Sequence, residues 1–60
     1  MEYTVKEIKE AIASNSQELK HWENVALTAS GVLKEIAVMN LKDLQKHADK
    51  LTNMLIQAQA

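Results

Sequence analysis

The sequence predicts an all-α protein of three helices, at about residues 4–13, 16–37 and 41–58. The last two are expected to fold back as an antiparallel hairpin and to pack as a dimeric helical bundle. Three observations predict this. Apolar residues recur three and four apart through Leu19, Trp22, Ala26, Ala29, Leu33 and Ile36, and again through Leu41, Leu44, Ala48, Leu51, Leu55 and Ala58, which sets each row on one side of a helix. Short polar clusters with helix-capping spacing precede each segment. Proline is absent and there is one glycine, so little in the chain opposes helix.

The first helix opens at Thr4, with Glu7 three residues on, the spacing of a capping box, and with Tyr3 and Ile8 placed as a hydrophobic staple. Val5, Ile8 and Ile12 line its apolar side. Glu2–Lys6 and Lys6–Glu10 are i,i+4 charge pairs on the other. Ser14-Asn15-Ser16 is expected to break this helix, because short polar side chains compete for backbone hydrogen bonds. Asn15 with Glu18, or Ser14 with Gln17, then caps the second helix.

Gly31 lies inside that second span beside Ser30. A kink is the favoured reading, because the apolar spacing continues across it. Termination at Gly31, with Leu27 and Val32 in a Schellman contact, is the alternative. The third start is Asn40 with Asp43, stapled by Met39 and Leu44. A rival reading runs one helix from 16 to 58, threading Leu33, Ala37 and Leu41. The stapled cap favours a turn near 37–40.

The chain is one small helical domain, residues 1–60. At this length only about 60% of the unfolded chain's surface is buried, so chains of this size often lean on disulfides, metals or partners. With no cysteine, disulfides and thiolate metal sites are excluded. Hydrophobic residues make up 47% and aromatics 3%, so the apolar surface is aliphatic and self-association is the simplest way to cover it. Val25, Val32 and Met39 form a further apolar row beside the main one, and Met54 and Ile56 also fall outside the seam. Small residues at Ala26, Ala29, Ser30 and Gly31 allow close helix approach.

Net charge is −1 and every basic residue is lysine. Without arginine the chain lacks the bidentate fork used on guanine edges and phosphates. The opening Met1-Glu2-Tyr3 has no basic or apolar leader pattern, and the longest uncharged run, 24–33, is too short for a bilayer. No membrane association and a cytoplasmic location are therefore expected. Lys42, Lys46 and Lys50 form a solvated row on the third helix. Glu18 and His21 have the Glu-x-x-His spacing of di-metal bundles but flank the apolar face, so neither His21 nor His47 is read as a metal ligand. No cofactor is expected. No nucleophile–base set or glycine-rich phosphate loop is present, so the chain is not read as an enzyme.

Within residues 3–23, Tyr3-Thr4-Val5-Lys6-Glu7-Ile8, Ile12-Ala13, Ser16, Leu19 and Trp22-Glu23 resemble the helix-turn-helix segment of MerR-type regulators and phage excisionases. The resemblance implies a turn opened by Ala13, a recognition helix capped by Ser16, and Gln17, Lys20, His21 and Asn24 facing a DNA groove. Residues 1–24 hold three lysines against five glutamates, which weighs against phosphate binding. The leading reading is therefore a small regulatory or adaptor protein of inhibitor or antirepressor type. It would act by helix-mediated contact with a second copy, another protein or both, with Trp22, Leu33, Ile36, Leu51 and Leu55 as anchors. A helix-turn-helix DNA binder dimerised by its C-terminal helices is the alternative.

Overall fold

A single reversal at residues 29–31 divides the chain into two long helices, α1 (Val5–Thr28) and α2 (Val32–Gln59), which lie against each other as a hairpin. The computed structural model describes residues 3–59. The Glu2–Lys6 pair lies outside the described residues. All-α architecture is as the sequence predicts; the three-helix division is not. The breaks expected at 14–16 and 37–40 both fall inside unbroken helix, and the hairpin forms between α1 and α2, not between segments 16–37 and 41–58. The chain also does not continue as one helix from 16 to 58. The described architecture is a single hairpin and shows no dimeric bundle.

The N-terminus of α1 follows its sequence signal. The Glu7 N–H donates to Thr4 Oγ1 at 3.1 Å, and the Thr4 N–H donates back to Glu7 Oε1 at 3.1 Å. Thr4 is extended, φ −73° and ψ 158°, as a capping residue must be. The Thr4 hydroxyl also donates to Glu7 Oε1 at 3.0 Å. These two donors, the backbone one first, hold the Glu7 carboxyl below its ordinary value, because both favour the charged form.

Asn15 explains why α1 does not stop at 14–16. Its side chain is buried, at 6% exposure, and Nδ2 donates 3.2 Å to the carbonyl of Leu44 on α2. The amide is thus spent on a contact between helices and does not cap the local backbone. Ser14 and Ser16 on either side face solvent. Counted through Asn15, the inward row of α1 becomes Ile8, Ile12, Asn15, Leu19, Trp22 and Ala26, with alternating steps of four and three. The matching row of α2 is Ala37, Leu41, Leu44, Ala48, Leu51 and Leu55. Both keep the 3.5-residue period that holds a seam against a partner helix over many turns. A break at 37–40 would throw Ala37, whose exposure is 0%, out of phase with Leu41. Asn40, the expected cap, is instead half-buried mid-helix. Tertiary packing overrides local capping preference at both sites.

The Asn15–Leu44 bond fixes the register. Two turns away in opposite directions, Ile8 comes level with Leu51, and Trp22 with Ala37. Pairing the largest side chain with one of the smallest keeps the helices parallel in spacing. Ile8, Ala37 and Leu51 are the buried apolar residues of the seam.

The reversal is short because its three residues divide the work. Ala29 is extended, φ −92° and ψ 165°, and its N–H closes α1 on the Val25 carbonyl at 2.8 Å. Gly31 has φ +67°, a left-handed conformation that a Cβ disfavours, and its carbonyl accepts the first α2 bond, from Glu35 N at 3.2 Å. Gly31 therefore neither kinks a helix nor forms the Schellman end. It opens α2, three residues after α1 ends at Thr28.

Candidate protein-interaction surface

Two helices share one seam, so much of each helix has no partner. The hairpin measures 44 × 17 × 15 Å, with a radius of gyration of 13.7 Å. A compact 60-residue domain has a radius near 10 Å. The chain exposes 4854 Å². A folded chain of its mass normally exposes about 3,900 Å². The excess is apolar in part, because Tyr3, Leu27, Val32, Leu33, Ile36, Val38, Met39 and Ile56 are all exposed. Six of these eight crowd into residues 27–39, around the reversal.

The five expected anchors divide into two groups. Leu51 is buried, and Trp22 and Leu55 are half-buried on the inward rows, so the hairpin itself uses them. Leu33 and Ile36 remain exposed, at 52% and 43%, because the inward row of α2 runs through Ala37 and Leu41 and leaves both beside it. The expected row of Val25, Val32 and Met39 is split by the reversal: Val25 is half-buried on α1, while Val32 and Met39 stand exposed on α2. Leu27, at 84% exposure, and Val38 are apolar surface that no spacing rule singles out, because each lies off the seam rows.

At the opposite, open end the hairpin carries a groove of about 610 Å³, floored by Ile8, Ala11, Leu51 and Met54 and rimmed by Tyr3, Glu7, Glu10 and His47. Its floor is apolar and its rim carries both acidic and imidazole groups. Which face of the hairpin this groove lies on can be followed along each helix. Ile36 precedes Met54 by eighteen residues and Val25 follows Glu7 by eighteen, close to five turns in each case. The groove at one end and Val25 with Ile36 at the other therefore share one face. By the same turn count Val38 and Ile56 line up with each other on the reverse face.

Helix α1 passes without interruption through 13–16, where the helix-turn-helix resemblance implies a turn. Gln17, Lys20, His21 and Asn24 are all exposed on its outer side, away from α2. The His21 ring meets Trp22 edge-on, with centroids 5.1 Å apart. Lys42, Lys46 and Lys50 are exposed, as a solvated row should be. Among the described residues no three His, Asp or Glu side chains converge on a common point, and no helix is long and apolar enough to cross a membrane. No protein family, curated protein or solved structure matches the chain, so its functional reading rests on its own residues.

Proposed function

We propose that the protein is a small non-enzymatic regulatory or adaptor protein of the cytoplasm, of inhibitor or antirepressor type, which works by laying helix faces against another protein. The observation that carries this reading is the exposed aliphatic cluster around the reversal, Leu27, Val32, Leu33, Ile36, Val38 and Met39. Exposed apolar side chains gathered at one end of a small chain mark contact sites more often than idle surface. The cluster is supported on rigid helix, so little ordering entropy opposes docking. Specificity would come from side-chain shape, since the charge balance is near zero.

The test is comparative capture from native extract, with the wild-type chain and a Leu27→Asp/Val38→Asp variant as baits. Both side chains are exposed, so the variant keeps its helical circular dichroism. The wild type retains a protein that the variant loses. Equal capture by both baits overturns the reading. So does a sequence-specific duplex shift at low salt that Lys20→Ala and His21→Ala abolish, which would make the chain a DNA binder.

A further inference from the structure

We infer that one face of the hairpin is the seat of a second copy of the chain, placed antiparallel so that the reversal of each hairpin covers the open-end groove of the other. The inference rests on the reading that apolar helix faces here meet other helices, and it names the first occupant. Area points to that occupant. The chain exposes 4854 Å² where about 3,900 Å² is normal for its mass, an excess of about 900 Å². A stable interface buries about 800 Å² on each partner. One further layer of the chain's own size is what the hairpin lacks.

The face is self-complementary. It carries the raised aliphatics Val25, Val32 and Ile36 at one end and the groove over Ile8, Leu51 and Met54 at the other, about 27 Å apart along the helices. A two-fold axis lying across the helices, level with Gln45, exchanges the ends. It sets Ile36 over Met54, Val32 over Ala58 and, on α1, Val25 over Tyr3. Near the axis it sets Asp43 over His47, an acceptor over a ring that can donate. Each contact occurs twice, so the assembly closes as a dimer and leaves no copy of the patch free for a third chain. The result is a four-helix bundle. Leu27 and Val38 lie off this face and stay available for an unlike protein.

A two-fold axis along the helices, reversal on reversal, would instead lay each α2 over the partner's α1, set Ile36 near Glu23 and leave no Met54 opposite Ile36. The experiment separates these arrangements. Sedimentation equilibrium on the purified chain gives twice the 6.7 kDa monomer mass, and the melting temperature rises with protein concentration. Ile36→Glu alone and Met54→Lys alone each shift the mass toward the monomer. Combined in one chain they restore the dimer, because glutamate then faces lysine twice. Within one hairpin the two positions are too far apart to pair. Leu27→Asp/Val38→Asp, both off this face, leaves the dimer mass unchanged, so loss of partner capture and loss of self-association are read separately. A monomer mass for the wild type at 100 µM, with a melting temperature independent of concentration, overturns the proposal. A dimer that both single variants leave intact, or that the double variant fails to restore, overturns the antiparallel placement.

Discussion

Asn15 is where the two-helix fold and a three-helix chain make opposite demands, and its replacement by leucine separates them by sign. In the hairpin Asn15 is 6% exposed and faces α2, so a leucine there would be almost wholly buried. Burying a leucine side chain is worth roughly 1.5–3 kcal/mol. Against this stands one hydrogen bond, Nδ2 to the Leu44 carbonyl at 3.2 Å, with a net value of about 1 kcal/mol. The Leu44 carbonyl is not orphaned, because a continuous α2 gives it an i→i−4 donor. Leucine is also the better helix former by a few tenths of a kcal/mol. The expected balance is a gain of about 1 kcal/mol after some allowance for overpacking. In a chain of this size that raises the melting temperature by roughly 4–8 °C. Were Asn15 a helix cap, leucine would instead lower stability by about 1 kcal/mol. Asn15→Asp runs the other way. Aspartate caps as well as asparagine, so a capping site tolerates it. In the seam it aims an acceptor at the Leu44 carbonyl, within a buried site, and destabilises. Thermal unfolding followed by circular dichroism, at one fixed protein concentration, reads both variants. A fall for leucine together with tolerance of aspartate would refute the seam.

Three further outcomes follow from the same structure. Leu51→Asp places a carboxylate at a buried position of the seam, opposite Ile8, and should abolish the helical signal at 25 °C, since single-domain stabilities run only about 0.05–0.15 kcal/mol per residue; a fully helical variant contradicts the core placement. Gly31→Ala meets no atom within 4 Å, so its effect is backbone strain alone, a loss of roughly 1–2 kcal/mol by urea unfolding, whereas a kinked-helix glycine would gain stability from alanine. Glu7 has a lowered folded pKa, so its contribution is present above the ordinary carboxylate value of 4.5 and is lost as pH falls through the lower folded value. Amide exchange at Glu7 and Ile8 should therefore quicken on acidification below pH 4.5 relative to the rest of α1. Thr4→Ala removes the hydroxyl donor but keeps the backbone one, so that pH-dependent step shrinks without vanishing.

Helical class, the Thr4–Glu7 start and the inward placement of Ile8, Ile12, Trp22, Leu51 and Leu55 are legible in the sequence, because each follows from spacing along a single chain segment. The hairpin's division is less so. Asn15 and Asn40 both stand three residues before an acidic side chain, a pattern that is identical in a cap and in a helix interior; only the contact to Leu44, twenty-nine residues away, decides the first. A signal was nonetheless available. Asn15 completes the 8, 12, 15, 19, 22, 26 row, and a polar residue at one seam position is how helix pairs fix their register. Gly31 shows the converse. The apolar rhythm runs on past it, yet a three-residue reversal needs only one left-handed position, and the chain's single glycine supplies it. The candidate surface is half visible in the sequence. Leu33 and Ile36 continue the spacing of the α1 row, but the reversal resets the phase, and the inward row of α2 runs through Ala37 instead.

The most direct test of the central claim, two unbroken helices locked in one antiparallel register, is a nuclear Overhauser spectrum read at the Asn15 side-chain amide. The structure predicts cross-peaks from its protons to Leu44 and Ala48 of α2, together with helical carbon shifts through 13–17 and 37–41. A solvent-exchanging Asn15 amide with contacts only to Glu18 and Leu19, and coil shifts across those two stretches, would contradict it.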